Sequence, residues 1–223
     1  MKKIVFSLLI VSSAFLTSCK KEKVTEDAVN TATADVVMTP GNIKLSADTQ
    51  QSVIRWTGSK PTGKHNGTIS IKEGDVTVKD GQILTGTFVL DMNSITVTDL
   101  KPEDGKEDLE AHLKGTSAKN GADDFFNVKK YPTGKFVITK VADENGKTVV
   151  YGNLTLKNVT KAVNFPATVV ASDTLVTIDS EPLVINRTYW NINYGSKSVF
   201  KNLADKFIND EVEIKVNVKA TSN

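Results

Sequence analysis

The chain has 223 residues, with 28 Lys and Arg against 26 Asp and Glu, two His and a single Cys. Two of the lysines, Lys2 and Lys3, sit in a signal-like start, so the remaining balance is 28 − 2 = 26 basic against 26 acidic residues. A neutral chain offers no broad field for phosphates, which argues against nucleic acid as a partner, and one cysteine excludes a disulfide within the chain.

Lys2 and Lys3 form a positive n-region, and Ile4 to Leu16 form an apolar stretch too short to span a bilayer. Leu16-Thr17-Ser18-Cys19 closes it with small residues ahead of the only cysteine. This resembles a bacterial lipoprotein signal with a lipobox, which implies that residues 1–18 are removed and that Cys19 carries the lipid. An ordinary signal peptide with an incidental cysteine is the plainer alternative. Several acyl chains on one residue anchor stably where one alone does not. Lys20 follows the cysteine where an inner-membrane retention signal would place Asp, so the expected address is the outer membrane, facing the periplasm. Residues 19–46, rich in Lys, Glu, Asp, Thr, Ala and Asn, are too polar to pack. They read as a tether of about 25 flexible residues, reaching on the order of 30 Å, with the folded domain over residues 47–223.

Short strands separated by turn signals follow. Ser52 to Thr57 carries Val53 and Ile54 into Trp56. Gly67 to Lys72 alternates through Ile69 and Ile71, and Val76 and Val78 resume the alternation after Glu73-Gly74-Asp75. Asp80-Gly81 marks a two-residue hairpin. Ile83 to Asp91 holds Phe88 and Leu90 on one face with Met92, and Ile95 and Val97 make a short extension. A helix is expected over Asp104 to Lys114, opened by a capping box of Asp104 and Glu107. Later strands run from Gly134 to Val141, Thr148 to Lys157, Lys161 to Ala171 and Leu175 to Ile185, with a further short helix over Leu203 to Ile208. In Glu211 to Lys219 the residues Val212, Ile214, Val216 and Val218 alternate with polar ones, so one face is wet and the other dry.

Leu109 to Phe136 breaks the strand pattern. A helical start stops at Gly115, a polar loop follows, then Phe125-Phe126 and Tyr131-Pro132. A sheet needs no such interruption for its own stability, whereas an apolar interior open at one end needs a cover. The segment therefore reads as lying over one end of a β-barrel, although alternation alone does not separate a barrel from a sandwich, or a filled interior from an open one.

Gly63-Lys64-His65-Asn66-Gly67, Gly86-Thr87-Phe88, Asp91-Met92, Leu109 to Leu113, Asp124-Phe125-Phe126, Tyr131-Pro132, Gly152 to Leu156, Thr160-Lys161 and Phe165-Pro166 occur in that order. Together they resemble the YceI-like family over about Thr49 to Ala220. The resemblance implies an all-β fold, an extended antiparallel lipocalin-like barrel that encloses a long apolar chain such as a polyisoprenoid. Three departures stand out: a longer loop at Gly115 to Asp123, Asn158 where glycine is common, and Asn127 where aspartate is common.

His65 and His112 lack the spacing of a metal site and are expected at turns or at the barrel mouth, with no metal bound. No nucleophile elbow or phosphate-cradling loop is present, and Asp123-Asp124 reads as a turn cap beside Phe125, so no catalytic residue is assigned. Trp56, Phe88, Leu90, Phe136, Phe165 and Trp190 are candidates for the wall of a ligand tunnel, with ordinary core filling as the alternative. Phe125 and Phe126 belong to its cover, and Arg187 and Tyr194 (with Tyr189) are candidates for a polar end that meets a head group. The expected function is non-enzymatic binding, storage or transport of a long-chain apolar lipid at the cell envelope, with no other cofactor. A structural lipoprotein with a packed barrel and no ligand is the alternative. An exposed edge strand would allow a homodimer.

Overall fold

The computed structural model of the protein describes residues 40–222. The expected signal peptide, Cys19 and the tether up to residue 39 lie outside these residues. Ten strands and one α-helix are formed among the described residues: β1 (Ile43–Ala47), β2 (Val53–Lys60), β3 (Gly63–Lys79), β4 (Gln82–Val97), α1 (Lys106–Lys114), β5 (Thr133–Glu144), β6 (Lys147–Leu156), β7 (Val159–Ala171), β8 (Leu175–Ser180), β9 (Leu183–Asn186) and β10 (Glu211–Thr221).

The strands pair antiparallel in the order β10-β2-β3-β4-β5-β6-β7-β8 and return to β10, which closes the sheet into a ring of eight positions. Two of these positions are filled by strands in tandem. Between β3 and β10, β2 covers one part and β1 the other, with Leu45 facing Val76 and Ala47 facing Ala220. On the other side of β10, β8 pairs with Asn217 to Thr221 and β9 with Glu211 to Ile214. The expected antiparallel barrel is therefore present.

Several local expectations are corrected. The domain starts at Ile43, inside the expected tether, because Ile43, Leu45 and Ala47 alternate over a run too short to stand out. Gly67 to Lys72 and Val76 to Val78 belong to one strand. Register shifts at Thr68/Ser70, Ile71/Glu73 and Thr77/Val78 absorb what looked like a turn. The expected strand from Leu175 to Ile185 is cut at Glu181-Pro182, since proline donates no ladder hydrogen bond. The helix expected over Leu203 to Ile208 is a single 3-10 turn at Ala204–Lys206. No capping box forms at Asp104. The cap of α1 is Gly105 in the left-handed region, whose N–H is held by the Pro102 carbonyl of the preceding 3-10 turn.

The two ends of the barrel differ. The tight turns β3–β4, β5–β6 and β7–β8 gather at one end, where Leu45, Val76, Val78, Val150, Val176 and Ala220 have no solvent exposure at all. These six side chains form a packed floor. At the other end lie the β2–β3 and β6–β7 turns, α1, the loop from Gly115 to Pro132 and the segment joining β9 to β10.

Between the ends, aromatic rings lie flat over glycines on the neighbouring strand. Trp56 pairs with Gly67, and a Cβ at Gly67 would come within 2.6 Å of its Cζ2. A Cβ at Gly152 would come within 2.5 Å of Phe136 Cε2, and one at Gly74 within 2.6 Å of Phe88 Cδ1. A methyl group at such a site also meets backbone that cannot swing aside, the Thr96 carbonyl oxygen for Gly67, that of Val137 at 2.5 Å for Gly152 and that of Thr87 at 2.9 Å for Gly74. Gly152→Ala is expected to destabilise the protein by about 1–3 kcal/mol, the range of overpacked cores, read as a lower midpoint in urea unfolding.

Candidate functional site

Above the packed floor the barrel encloses a cavity of about 470 Å³, within the range of roughly 300–1,000 Å³ typical of small-molecule sites. Its wall takes one apolar side after another from every strand of the ring, from Ile54 and Trp56 on β2 to Ile214, Val216 and Val218 on β10. The alternation of those strands sends these residues inward and the charged ones out. All ten side chains expected at a ligand site line it: Trp56, Phe88, Leu90, Phe125, Phe126, Phe136, Phe165, Arg187, Trp190 and Tyr194. The reading of a barrel packed throughout fails on this geometry.

The rings stay at the wall. Phe136 and Phe165 meet at 5.9 Å between centroids, and Trp190 is fixed by its Nε1 donating to the Leu154 carbonyl at 3.0 Å. Trp56 is the exception, because its Nε1 is buried without a partner. An unpaired buried donor costs on the order of 1–3 kcal/mol.

The cover is built as expected, from α1 and the loop after it. Leu109 and Leu113 of α1 face the cavity together with Phe125 and Phe126. Phe126 N–H donates to the Leu113 carbonyl at 3.1 Å and Val128 N–H to the Lys114 carbonyl at 2.9 Å, which ties the loop to the helix end. His112 Nε2 lies 3.1 Å from Asp124 Oδ2, and its ring meets Phe125 and Tyr194 edge-on at 5.0 and 4.6 Å. Asp124 also accepts from Gly121 N–H at 3.1 Å, the turn-cap role expected of it. Asn127 Nδ2 donates to Asp123 Oδ1 at 2.9 Å and, helped by Lys157 and Lys130, holds that carboxyl below its ordinary range. Lys157 in the β6–β7 turn donates to the Asp123 and Asn191 carbonyls, fastening the cover to two other loops. Both unusual asparagines, Asn127 and Asn158, have positive φ (46° and 61°), a conformation asparagine tolerates.

The cavity reaches the surface where exposed residues line it, at Lys60 and Gly63 of the β2–β3 turn, at Tyr194 and at Lys206. Ser59 and Asn209 complete this mouth and bond to each other, Asn209 Nδ2 to Ser59 Oγ at 2.8 Å. His65 sits beside it with Nδ1 2.9 Å from Asp99 Oδ2. Burial alone pushes the Asp99 carboxyl up, but the Asn66 N–H and His65 outweigh it and hold it below its ordinary value.

Arg187 does not serve as the polar end. Its Nε donates to the Asn209 carbonyl, Nη1 to Ile192 and Nη2 to Ile208, at 2.6–3.1 Å, with Asp210 Oδ1 at 3.7 Å. Burial lowers its pKa, and Asp210 offsets part of that. It braces the β9–β10 segment from within. Tyr189 points outward toward Lys161 and is absent from the cavity wall. The polar groups at the mouth are instead Lys60, Lys206, Ser59 and Asn209. No sequence signal marked them, since lysines and turn residues look alike wherever they fall.

Among the described residues, no three His, Cys, Asp or Glu side chains gather as metal ligands would.

Known proteins agree with this architecture. The crystal structure of Burkholderia cenocepacia BcnA superposes with a TM-score of 0.58 at 24% identity, covering 78% of this chain and 99% of that one. A polyisoprenoid binding domain from Saccharophagus degradans, implicated in plant cell wall breakdown, superposes with a TM-score of 0.55 at 15% identity, covering 80% and 98%. By sequence, a UPF0312 protein of Pseudomonas putida is 42% identical over 93 residues, 37% of this chain and 47% of that protein. One from Photorhabdus laumondii subsp. laumondii is 34% identical over 87 residues, 36% and 45%. The chain thus spans less than half the length of these two relatives. The sequence matches the YceI-like domain over residues 45–220, from the first strand to the last, and the chain belongs to that family.

Proposed function

We propose that the protein binds a long apolar chain, a polyisoprenoid or similar lipid, in its barrel and holds or carries it at the cell envelope without chemical change. The observation that carries this reading is the enclosed cavity walled by apolar side chains from every strand of the ring, open to solvent only at its mouth. Each methylene moved from water into such a lumen contributes about 0.8 kcal/mol, so one isoprene unit of five carbons contributes a few kcal/mol. Affinity is therefore readily supplied, and controlled release is the harder requirement. The cover and the mouth beside it answer to that requirement. The Saccharophagus degradans domain of like fold is a polyisoprenoid binding domain, and the same ligand class suits this lumen.

The dimensions limit the occupant. From Val212 to Val218 the lining of β10 runs about 20 Å along the strand, or about 15 Å along the barrel axis after tilt. Bonds of about 1.5 Å at about 111° advance a chain by about 1.25 Å per carbon, which gives about 12 carbons. That length holds about three isoprene units, with any longer remainder leaving through the mouth. An oxygen on the ligand near Trp56 would satisfy its unpaired N–H. The lipobox-like pattern at Cys19 supports a lipid anchor that keeps the barrel near its membrane.

Two results test this reading. Mass spectrometry of protein extracted without delipidation is expected to show a co-purifying apolar chain, and Val216→Trp, which fills the lumen, is expected to abolish it while unfolding remains cooperative. Farnesol should raise the melting temperature of the emptied wild-type protein, as any ligand specific to the native state does. A barrel that is always empty and indifferent to farnesol would end the proposal. The cover gives a second test. His112→Ala removes the Asp124 pair and two edge-on ring contacts worth about 0.5–1.5 kcal/mol each, so release of a fluorescent isoprenoid, followed by stopped flow, should quicken about tenfold or more.

A further inference from the structure

The segment between Gly195 and Ile208 is a compact loop whose ends are tied, with Ile208 N–H donating to the Gly195 carbonyl at 2.8 Å. Its base is firm. Ser196 is fully buried and accepts from Phe200 N–H at 2.9 Å, while Ser198 Oγ bonds Asp210, the carboxylate beside Arg187. Its far side is the opposite. Val199 and Phe200 are each 48% exposed, and the loop turns back on itself at Asn202 and Ala204, both with positive φ. A left-handed alanine is uncommon and costs energy unless its surroundings hold it, which makes this turn a defined one.

Two further observations say what this side faces. Five of the seven large apolar side chains exposed among the described residues fall between Val184 and Phe200, on the stretch that leads to this loop. The loop's own charges are mostly of one sign. Lys197, Lys201 and Lys206 stand against Asp205 within it, the adjoining Asp210 is engaged by Ser198 and Arg187, and Lys60 and Lys64 belong to the β2–β3 turn that Asn209 bonds. Exposed valine and phenylalanine on a lysine-rich loop match the composition of a surface that enters the headgroup region of an anionic bilayer. A protein partner would be expected to present acidic or hydrogen-bonding groups to a flatter patch. Here the exposed apolar pair is small, and the loop that carries it is mostly basic. Moreover, Tyr194 and Lys206, at the two roots of this loop, themselves line the cavity mouth.

We infer that the loop from Gly195 to Ile208 docks the barrel on an anionic phospholipid bilayer, placing Val199 and Phe200 among the acyl chains and the cavity mouth at the membrane surface. This rests on the proposed apolar cargo for its purpose. A chain leaving the lumen beside Lys206 then enters lipid without crossing water, which removes the large transfer cost per methylene. The contact is distinct from the expected anchor at Cys19, which sets only distance from the membrane, whereas this loop sets which end of the barrel faces it.

The test uses residues 40–223, which contain the whole closed sheet and lack Cys19. This segment is expected to float with phosphatidylcholine vesicles containing phosphatidylglycerol, and much less with phosphatidylcholine alone. Val199→Ser with Phe200→Ser is expected to weaken flotation at least tenfold, and Lys201→Glu about fivefold or more, the effect of one basic residue near an anionic surface. Both variants should keep the wild-type melting temperature and its rise with farnesol, which separates loss of docking from loss of fold or of cargo binding. Wild-type protein that stays at the bottom of the gradient overturns the inference, as does flotation that neither variant reduces. A dimer in light scattering that the serine pair dissolves, without vesicle binding, overturns it in favour of a second copy on this face. The farnesol response reports on the cavity alone, so either claim can fail while the other stands.

Discussion

The hollow depends on where the aromatic rings are allowed to lie. An eight-position ring is just wide enough to be filled by its own side chains, and a barrel with Trp56, Phe88, Phe136 and Phe165 turned inward would fill by default. It stays open because glycines on adjacent strands leave gaps into which three of these rings recline, Trp56 over Gly67, Phe88 over Gly74 and Phe136 over Gly152. Each ring then presents its face to the lumen as wall and leaves the axis free. The same arrangement tolerates the irregular register of β3, whose shifts bring Gly74 opposite Phe88.

The remaining architecture divides labour along the axis. The floor is made of small branched residues with no exposure, held by β1 as it bridges β3 and β10. The upper end uses polar chemistry instead. His112, Asp124, Asn127, Asp123 and Lys157 form a chain of contacts that ties cover, helix and turn together, and Arg187 braces the last long segment through three backbone carbonyls. Side-chain contacts that are partly exposed open at lower cost than a dry core. The floor is therefore the durable end and the cover the end suited to movement.

Much of this was legible in the sequence. The strict alternation of Val212, Ile214, Val216 and Val218 set the dry face of β10, and the break at Leu109 to Phe136 marked the cover. What alternation left open was whether the dry faces meet or stand apart, because a filled and a hollow barrel share one pattern. The family motifs raised the hollow reading, and two of the three glycines that make it physical, Gly67 and Gly152, were among them, although nothing local tied Gly67 to Trp56 or Gly152 to Phe136. Arg187 was misread because its partners, Ile208 and Asn209, lie some twenty residues further on. β1 was lost in polar surroundings since five residues carry too little pattern. The mouth was invisible because Lys60 and Lys206 are ordinary surface lysines until the fold brings their turns together.

One strand carries a consequence for biosynthesis. β10 is the last strand among the described residues, and it touches β1, β2, β8 and β9, so the cylinder has no seam other than the one it closes. Until β10 has left the ribosome, the growing sheet is open, with two bare edges and a greasy concave face. Closure must then join the C-terminal strand to partners more than 150 positions upstream, a long-range step that topology makes slow. A barrel built this way can close only after β10 has emerged, and until then it depends on being kept from pairing with its neighbours.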